Sequence, residues 1–399
     1  MTEQRTRRIV GSNAERTRLH NRQVVLGHIR QGTPMGRAQI ARASGLSTQA
    51  VSNIISELHG EGLLQEAGRR IAGRGLPAVQ YTLNPEGAHA LGIEVRPDAV
   101  FAALVDLAGT AQFTHRVALT DARPEAVGEK VIALRQKALD ETGRSADRLL
   151  GCGVVMPGPF GETGLSHAGQ SALTDWAGIA PETFFEDLLG LQVTVENDAT
   201  AAAVAERVSG VAADLDTFCF LYFGTGLGLG FVSGGQLQRG AFGNAGEIGH
   251  MIVEPGGRPC ACGNQGCLET YVSRLAIRDH LAGAGVAVTS GSELEALYRS
   301  QSRPLMDWLD SARAPLAQAV GLIENLLDPQ TVILGGAMPD ILFDHLIMSL
   351  DLPKSSVAAR PERDNPRVMR GASGRFTAAL GGAALVINQV FTPRIAAEA

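Results

Sequence analysis

Apolar positions near the start of the chain recur at the spacing of short helices. Three segments show this pattern, residues 21–30, 37–44 and 48–58. Gly45 and Leu46 form a tight turn between the second and third segments, so these two helices follow each other as in a helix-turn-helix. One face of the third segment is apolar and the other is polar. Its inward positions are Val51, Ile54, Ile55 and Leu58.

Two predicted strands, residues 62–66 and 79–83, follow these helices. The segment that joins the strands is rich in arginine and glycine, and it carries Arg69, Arg70 and Arg74. A flexible Arg-Gly tip of this kind can lie in a minor groove, where the electrostatic potential favours arginine. We therefore predict a winged helix-turn-helix domain at the start of the chain.

After residue 90 the pattern changes to an alternation of strands and helices. Glycine-rich turns follow several strands, as at residues 224–230 and 335–336. Such loops, repeated in two successive α/β halves, predict a two-lobed fold with a ligand cleft between the lobes. The predicted strands are residues 91–95, 101–106, 112–118, 149–156, 193–196, 217–223 and 331–334, and the predicted helices are residues 124–142, 199–208 and 376–391.

Length and composition are those of a soluble globular protein of two or three domains. The 399 residues are 45% hydrophobic and 19% charged, which is ordinary for such proteins. No stretch approaches a membrane span, and the first residues lack the apolar core of a secretory signal. We therefore expect a cytoplasmic protein.

Charge is distributed unevenly along the chain. Residues 1–80 hold twelve arginines, no lysine and five acidic residues, a net charge of +7, whereas the remainder carries −13. A basic head on an acidic body is typical of a protein that binds nucleic acid through one end. Charge alone would also fit a basic solubilising tail. The helical pattern argues against a tail, but it leaves open a three-helix packing module with incidental arginines.

The outer face of the third predicted helix is short, polar and uncharged. Such side chains can donate to or accept from base edges in the major groove, while nearby arginines reach phosphates. We therefore predict that the head binds double-stranded operator DNA. The predicted contacts are Thr48, Gln49, Ser52 and Asn53 to bases, Arg37 and Arg42 to phosphates, and Arg69, Arg70 and Arg74 from the wing.

Four soft metal ligands lie close together in the second half of the chain. Three of the five cysteines, Cys260, Cys262 and Cys267, fall within eight positions, and His250 precedes them. Three thiolates and one imidazole form a closed tetrahedral set for Zn²⁺, with no position left for an activated water. The spacing differs from that of a zinc finger. We predict a structural zinc ion, with three unrelated reduced thiols as the alternative.

The same region carries a family resemblance. The glycine loop at residues 224–226, Gly-Glu-Ile-Gly-His at residues 246–250 and the cysteine cluster ending in Leu268 and Glu269 together resemble the ROK family of repressors and sugar kinases. The resemblance covers about residues 88–392. With the winged helix in front, the chain is most similar to the repressor branch, which includes xylose and N-acetylglucosamine repressors.

This resemblance implies an actin-like, hexokinase-like pair of lobes, a sugar in the cleft, and a homodimer or homotetramer. The winged helix-turn-helix domain would then span residues 1–86. The first lobe would span residues 87–198 and be completed by the C-terminal helix 376–392. The second lobe, with the zinc loop and the sugar site, would span residues 199–375.

The family's sugar site matches five residues of this sequence. They are Asn197 and Asp198 in Glu-Asn-Asp, Glu247 and His250 in Gly-Glu-Ile-Gly-His, and Glu269 after the last cysteine. Carboxylates and an amide suit sugar hydroxyls, which both donate and accept, and an unpaired buried group costs about 1–3 kcal/mol. A metal on one nitrogen of the histidine would fix its ring. Without the resemblance, the two glutamates would be interpreted as surface carboxylates.

In kinases of this family, the counterpart of Asp198 is the general base, and a first hairpin with Asp-x-Gly-Gly-Thr holds the nucleotide phosphates. Here that hairpin, Glu94 to Asp98, has neither glycine nor threonine and contains a proline. Proline removes a backbone donor and fixes φ, so this backbone cannot wrap phosphates. We therefore predict a sugar-responsive regulator of transcription without enzyme activity. Residues 224–226 and 335–336 still resemble the other nucleotide loops, so an ATP-dependent sugar kinase with a regulatory head is the alternative.

Overall fold

Three β-sheets and the helices around them make up the described part of the chain. Arg74, predicted to contact DNA, lies outside that part. The computed structural model describes residues 14–30, 32–70, 77–157, 173–176, 178–241, 243–353, 360 and 362–392.

The head consists of three helices and a small antiparallel sheet. Gly45, with a φ of +71°, ends the second helix in the left-handed conformation that glycine favours and so makes the predicted turn. The Ser47 side chain caps the third helix by accepting from the Ala50 N–H at 3.2 Å. The helices are α1 (Ala14–Arg30), α2 (Arg37–Ser44) and α3 (Thr48–Gly60), and the strands are β1 (Met35–Gly36), β2 (Leu64–Arg70) and β3 (Ala78–Leu83) in the order β1-β3-β2.

Three of these elements differ from the sequence prediction. Helix α1 begins at Ala14, earlier than residue 21, because polar residues with good helix propensity extend it beyond its apolar part. Strand β2 continues to Arg70, into the segment predicted as a loop, because it pairs with β3 as far as Ala78. The two-residue strand β1 was not predicted, since a pair of residues carries no periodic signal.

A five-stranded sheet follows the head and has the order β6-β5-β4-β7-β8. Its first three strands are antiparallel, while β7 pairs in parallel with β4, and β8 pairs in parallel with β7. Helices α4 (Pro124–Thr142) and α5 (Pro181–Leu189) cover one face. The strands are β4 (His89–Arg96), β5 (Ala99–Asp106), β6 (Ala111–Ala118), β7 (Leu149–Val155) and β8 (Val193–Glu196).

A second five-stranded sheet has the order β11-β10-β9-β12-β13. Four helices accompany it, and the 25-residue α9 is the longest in the described part of the chain. None of the described helices combines the length and apolar character needed to cross a bilayer. The elements are β9 (Phe218–Phe223), β10 (Leu227–Ser233), β11 (Gln236–Leu237), α7 (Arg274–Gly283), α8 (Gly291–Arg299), α9 (Arg303–Leu327), β12 (Val332–Gly336), α10 (Asp340–Ser349) and β13 (Val368–Ser373).

Two helices of small residues, α6 (Asp198–Ser209) and α11 (Thr377–Phe391), pack against each other between the sheets. Helix α11 lies on β4 and β7, and α6 lies on β9 and β10. Strand β7 and helix α11 pack so closely that a Cβ at Gly153 on β7 would lie 1.8 Å from the carbonyl oxygen of Gly382 on α11. This arrangement places the N-terminus of α6 directly after strand β8 and next to the loop that follows β9.

Candidate functional site

A cluster of three thiols and one imidazole lies between β11 and α7. The candidate ligand atoms of His250, Cys260, Cys262 and Cys267 all lie within 4.8 Å of one another. Cys260 Sγ is 3.6 Å from His250 Nδ1, and Cys262 Sγ is 3.7 Å from Cys267 Sγ. Sulfur ligands about 2.3 Å from a tetrahedral Zn²⁺ would be about 3.8 Å apart, so the spacing fits such an ion. The four predicted ligands therefore form one site that could hold a metal ion.

Backbone geometry folds the loop around this cluster. Gly266 has a φ of +81°, and a Cβ there would lie 1.7 Å from the Glu254 carbonyl oxygen, so glycine is required. An isolated β-bridge pairs Ile252 with Cys267. The last cysteine is thereby held next to the chain that directly follows His250.

The same loop aligns two carboxylates with His250. Its Nδ1 lies 3.4 Å from Glu269 Oε1, and its Nε2 lies 3.8 Å from Glu247 Oε2. Burial raises the pKa of Glu247; His250 lowers it, and the charges of Asp198 and Glu269 raise it further. These four side chains therefore lie close enough to influence each other electrostatically.

Asn197 and Asp198 form the N-terminus of α6. Asn197 Oδ1 accepts from the Thr200 N–H at 2.8 Å and so caps the helix, which leaves its amide N–H groups as donors. Asp198 Oδ1 accepts from the Ala199 N–H at 2.8 Å. The Asp198 side chain is half-buried, and the loss of solvent around it raises its pKa. Both residues are thus held by helix geometry and keep polar atoms available.

The glycine loop between β9 and β10 contacts carboxylates from two distant segments. A Cβ at Gly224 would lie 2.9 Å from Asp198 Oδ2, and a Cβ at Gly226 would lie 2.6 Å from Glu269 Oε2. A side chain at either position would displace these carboxylates. The five predicted sugar-contacting residues therefore lie in one region, with Asn197 placed there by its neighbour Asp198.

A second group of buried side chains adjoins Asp198 and was not recognised in the sequence. We call Glu94, Arg96, Tyr222 and Arg274 the buried charge cluster. Arg96 Nε donates to Glu94 Oε1 at 2.5 Å. Burial raises the pKa of Glu94 to about 7, with Arg96 opposing the rise and Asp198 adding to it. Within the described part of the chain, Glu94 Oε2 and the Tyr222 hydroxyl have no hydrogen-bond partner.

The guanidinium of Arg96 is held on several sides. Its Nη2 donates to the Arg375 carbonyl at 3.4 Å, and the group lies 4.4 Å from the centroid of the Phe101 ring. Burial disfavours its charge, but the adjacent Glu94 carboxylate outweighs this and raises the pKa of Arg96. Arg274 is half-buried, and burial together with the charge of Arg96 lowers its pKa. A glutamate inside an otherwise apolar strand was the one sequence signal for this cluster.

The polar face of α3 is turned towards solvent. Thr48, Gln49 and Asn53 are exposed, and Ser52 is half-buried. Gln49 Nε2 donates to Asn53 Oδ1 at 2.9 Å. The two side chains are thus paired with each other in the free protein.

The arginines predicted to contact DNA differ in their surroundings. Arg42, Arg69 and Arg70 are exposed. Arg37 is half-buried, its Nε is buried, and its guanidinium lies 4.9 Å from the centroid of the Tyr81 ring. Arg37 therefore packs within the head in addition to any contact it makes outside it.

Similarities to known proteins extend over nearly the whole chain. The xylose repressor of Bacillus spizizenii is 27% identical over 375 residues, which cover 92% of this chain and 95% of the repressor. The crystal structure of a ROK family transcriptional regulator, a homolog of the Escherichia coli MLC protein, matches with a TM-score of 0.74 at 25% identity, covering 94% of this chain and 97% of that one. A ROK family glucokinase from Streptomyces griseus, in complex with glucose and AMPPNP, has a TM-score of 0.58 at 26% identity, covering 75% of this chain and 99% of its own.

The two sheets, with α6 and α11 packed between them, form the actin-like, hexokinase-like fold that was predicted. The model of the ROK family matches residues 90–389, and the chain belongs to this family. The resemblance to the repressor branch, suggested by the predicted winged helix in front of the ROK motifs, is likewise confirmed by the relatives described above.

Proposed function

We propose that this chain is a sugar-responsive transcriptional repressor that binds operator DNA through its head and a sugar in its cleft. One observation carries this proposal: the likeness to the xylose repressor of B. spizizenii covers 92% of the chain, and so includes the head as well as the cleft. The S. griseus glucokinase matches 75% of this chain with 99% of its own length. The part of this chain that the glucokinase does not match must therefore have a function other than that of a kinase. We assign DNA binding to it.

In this proposal the head is a winged helix-turn-helix. Helix α3 enters the major groove with its exposed polar face, and the hairpin of β2 and β3 is the wing. The exposed Arg42, Arg69 and Arg70 contact phosphates or the minor groove. Two heads from a homodimer or homotetramer would bind an inverted repeat, since half-site spacing must match the symmetry of the protein.

The sugar site in this proposal is the group of polar side chains around Asp198. A sugar hydroxyl both donates and accepts, and the carboxylates of Asp198 and Glu247 can accept from such hydroxyls. His250 would present Nε2 to the same sugar while Nδ1 faces the thiols. Asn197 and Glu269 would complete the set of contacts.

We propose that Zn²⁺ occupies the Cys3His site and has a structural role. Three sulfurs and one nitrogen at tetrahedral spacing match the donor preference of zinc and leave no open position. When bound, the ion would fix the loop that carries His250 and Glu269. The protein's own side chains would then make every contact with the sugar.

The proposal excludes phosphoryl transfer on the basis of the hairpin between β4 and β5. Strand residues Arg96 and Ala99 pair directly, so Pro97 and Asp98 form the whole turn and leave no backbone cradle for phosphates. Beside the turn, Arg96 donates to Glu94, and its positive charge partly opposes the burial that raises the pKa of Asp198. An arginine of the protein thus stands beside the carboxylates at the position where a kinase would hold the phosphates of its nucleotide.

We further propose that a bound sugar favours a closed arrangement of the two lobes. Closure would change the separation of the two heads in the oligomer, and therefore the fit to an inverted repeat. We expect sugar to release the protein from DNA. The size of the effect is set by the difference in sugar affinity between the two arrangements, typically about 1–3 kcal/mol.

The test begins with selection of duplexes bound by the purified protein from a random pool. Affinity for the selected duplex is then measured with xylose, glucose and N-acetylglucosamine added in turn. Wild type should bind an inverted repeat and respond to at least one sugar, whereas Asp198→Ala should bind the duplex without responding. Failure to enrich any duplex, or an unchanged sugar response in Asp198→Ala, would contradict the proposal.

A further inference from the structure

Two arginines join the head to the body by donating to carbonyls at the ends of helices. Arg30, the last residue of α1, donates from Nη2 to the carbonyl of Val208 and, at 3.4 Å, to that of Arg207, both in the last turn of α6. In the opposite direction, Arg148 donates from Nη1 to the Glu61 carbonyl, just after α3, at 2.7 Å. The last carbonyls of a helix lack partners within the helix, so each guanidinium satisfies acceptors that need one.

The guanidinium of Arg30 also packs against a buried aromatic ring. The group lies 5.0 Å from the centroid of the Phe391 ring at the end of α11. Burial lowers the pKa of Arg30 to about 10, which still leaves it charged at neutral pH. The apolar residues of the head and of α6 and α11 also form one continuous buried cluster. The head is therefore packed against the body at this point.

A second polar connection runs parallel to the first. Gln23 Nε2 on α1 donates to the Gln389 carbonyl at 2.8 Å. Gln389 Nε2 in turn donates to Thr194 Oγ1 on β8 at 2.7 Å. Strand β8 leads directly into Asn197, so this connection also ends beside the polar cleft.

The head contact and the cleft residues lie at opposite ends of the same helix. Asn197 caps α6 and Asp198 is its first residue, while Arg207 and Val208 lie in its last turn. At 1.5 Å per residue, the twelve residues of α6 span about 18 Å. A helix packed on both sides moves as a rigid element, so a displacement at one end is transmitted to the other.

We infer that α6 transmits the sugar signal to the head, with Arg30 as the positioning residue that ties α1 to it. This inference rests on the proposed function and identifies the route of its regulation. Within the head, α1 is joined to α3 by ion pairs of Arg18 and Arg22 with Glu57, each at 2.9 Å. A shift of α6 would therefore turn α1 and the DNA-contacting face of α3 together.

The inference is tested by removing Arg30 and measuring coupling, which a purely structural role would not change. Arg30→Ala should bind operator DNA and sugar separately, but the effect of sugar on DNA affinity should fall towards onefold from the wild-type value, typically about 5- to 150-fold. Arg135→Ala is the matched control, because Arg135 also donates to a helix-terminal carbonyl, that of Leu189 at 3.1 Å, without contacting the head. Wild-type coupling in Arg30→Ala would overturn the inference.

Hydrogen exchange provides a second measurement that needs no substitution and no sugar. Operator DNA binding to wild type should change amide exchange in residues 198–209, since coupling must act in both directions. Unchanged exchange there would overturn the inference even if Arg30→Ala failed to fold. A wild type that binds DNA and ignores all sugars, yet shows the exchange change, would contradict the proposed function and leave the mechanical connection supported.

Discussion

The two sides of Asp198 differ in what their side chains can offer to a ligand. On one side, the side chains of His250, Glu247 and Glu269 remain 34%, 46% and 20% exposed, and they point polar atoms towards one another and towards solvent. On the other side, the side chain of Glu94 is 5% exposed and is paired with Arg96. The first side has polar groups to offer to a ligand, whereas the second has already paired its charges internally.

Under the proposed function, this difference would separate sugar binding from phosphoryl transfer at a single hairpin. The side facing the thiol cluster needs no nucleotide to position its carboxylates, since the loop does so. The side facing β4 and β5 would need a backbone loop to accept phosphates, whereas here Arg96 and a two-residue turn occupy that place. A substitution on the thiol side of the cleft should therefore cause a different defect from a substitution on the side of β4 and β5.

The largest effect is expected from Cys262→Ser on the thiol side. Loss of one thiolate should release the metal and disorder the loop that carries His250 and Glu269, so sugar affinity should fall about 100-fold or more. Metal analysis and calorimetric sugar titration check both consequences. Cys152→Ala, at a buried thiol outside the cluster, should keep one metal per chain. A metal content unchanged in Cys262→Ser would refute the ligand assignment.

The next effect concerns Glu94→Gln on the opposite side. Because burial raises the folded-state pKa of Glu94 from 4.5 to about 7, the unfolded chain ionises first as pH rises. The stability contributed by the neutral carboxyl is present below about pH 4.5 and lost as pH rises through 7. At about 1.4 kcal/mol per pKa unit, the loss amounts to about 3 kcal/mol.

Denaturant unfolding of wild type and Glu94→Gln across this pH range checks the prediction. Wild type should lose stability relative to the variant as pH rises from 4.5 to 7. Glu125→Gln, at an exposed glutamate on α4, should follow wild type. Parallel pH profiles for wild type and Glu94→Gln would show that folding does not raise the pKa of Glu94.

A smaller effect is expected from Glu247→Gln in the sugar site. The amide keeps the size of the side chain but removes one charged acceptor, so sugar affinity should fall roughly 10- to 100-fold. Sugar titration by calorimetry measures the change, and metal content should stay at the wild-type value. Glu295→Gln, at an exposed ion pair on α8, serves as the control. Equal sugar affinity in Glu247→Gln and wild type would remove Glu247 from the site.

The smallest effects are expected from substitutions in the head, because they leave both sides of the cleft intact. Asn53→Ala should weaken binding to the selected duplex by about 1 kcal/mol and leave random DNA unaffected, since it removes a base contact. Arg42→Ala should weaken all duplexes alike and reduce the salt dependence by about one charge. Salt-dependent titrations of both duplexes distinguish these outcomes. Equal losses on specific and random DNA for Asn53→Ala would exclude base contact.

Most of the fold could be predicted from the sequence because its elements carry strong periodic signals. Helix α4 was predicted with the bounds it has, and β8 likewise, since apolar spacing, Pro124 and the turn residues mark their ends. The metal cluster was also predictable, because cysteine spacing is a local property. Helices α7 to α10 were not among the predicted helices.

The buried charge cluster could not be predicted from local patterns. Glu94 and Arg96 are near neighbours, but Tyr222 on β9 and Arg274 on α7 reach them only through tertiary packing. The contact of Arg30 with α6 is hidden for the same reason, since it joins residues more than 170 positions apart. Long-range polar contacts leave no periodic trace in a single sequence.

The central claim is that the sugar side of the cleft still binds and the nucleotide side does not. The most direct test is parallel calorimetric titration of the wild-type protein with xylose, glucose and N-acetylglucosamine, and with ATP and Mg²⁺, followed by an ADP-release assay. The account predicts saturable binding of at least one sugar, no binding of the metal nucleotide and no ADP release. Sugar-dependent ADP release at about 1 per second or faster, the ordinary range of enzymes, would contradict it.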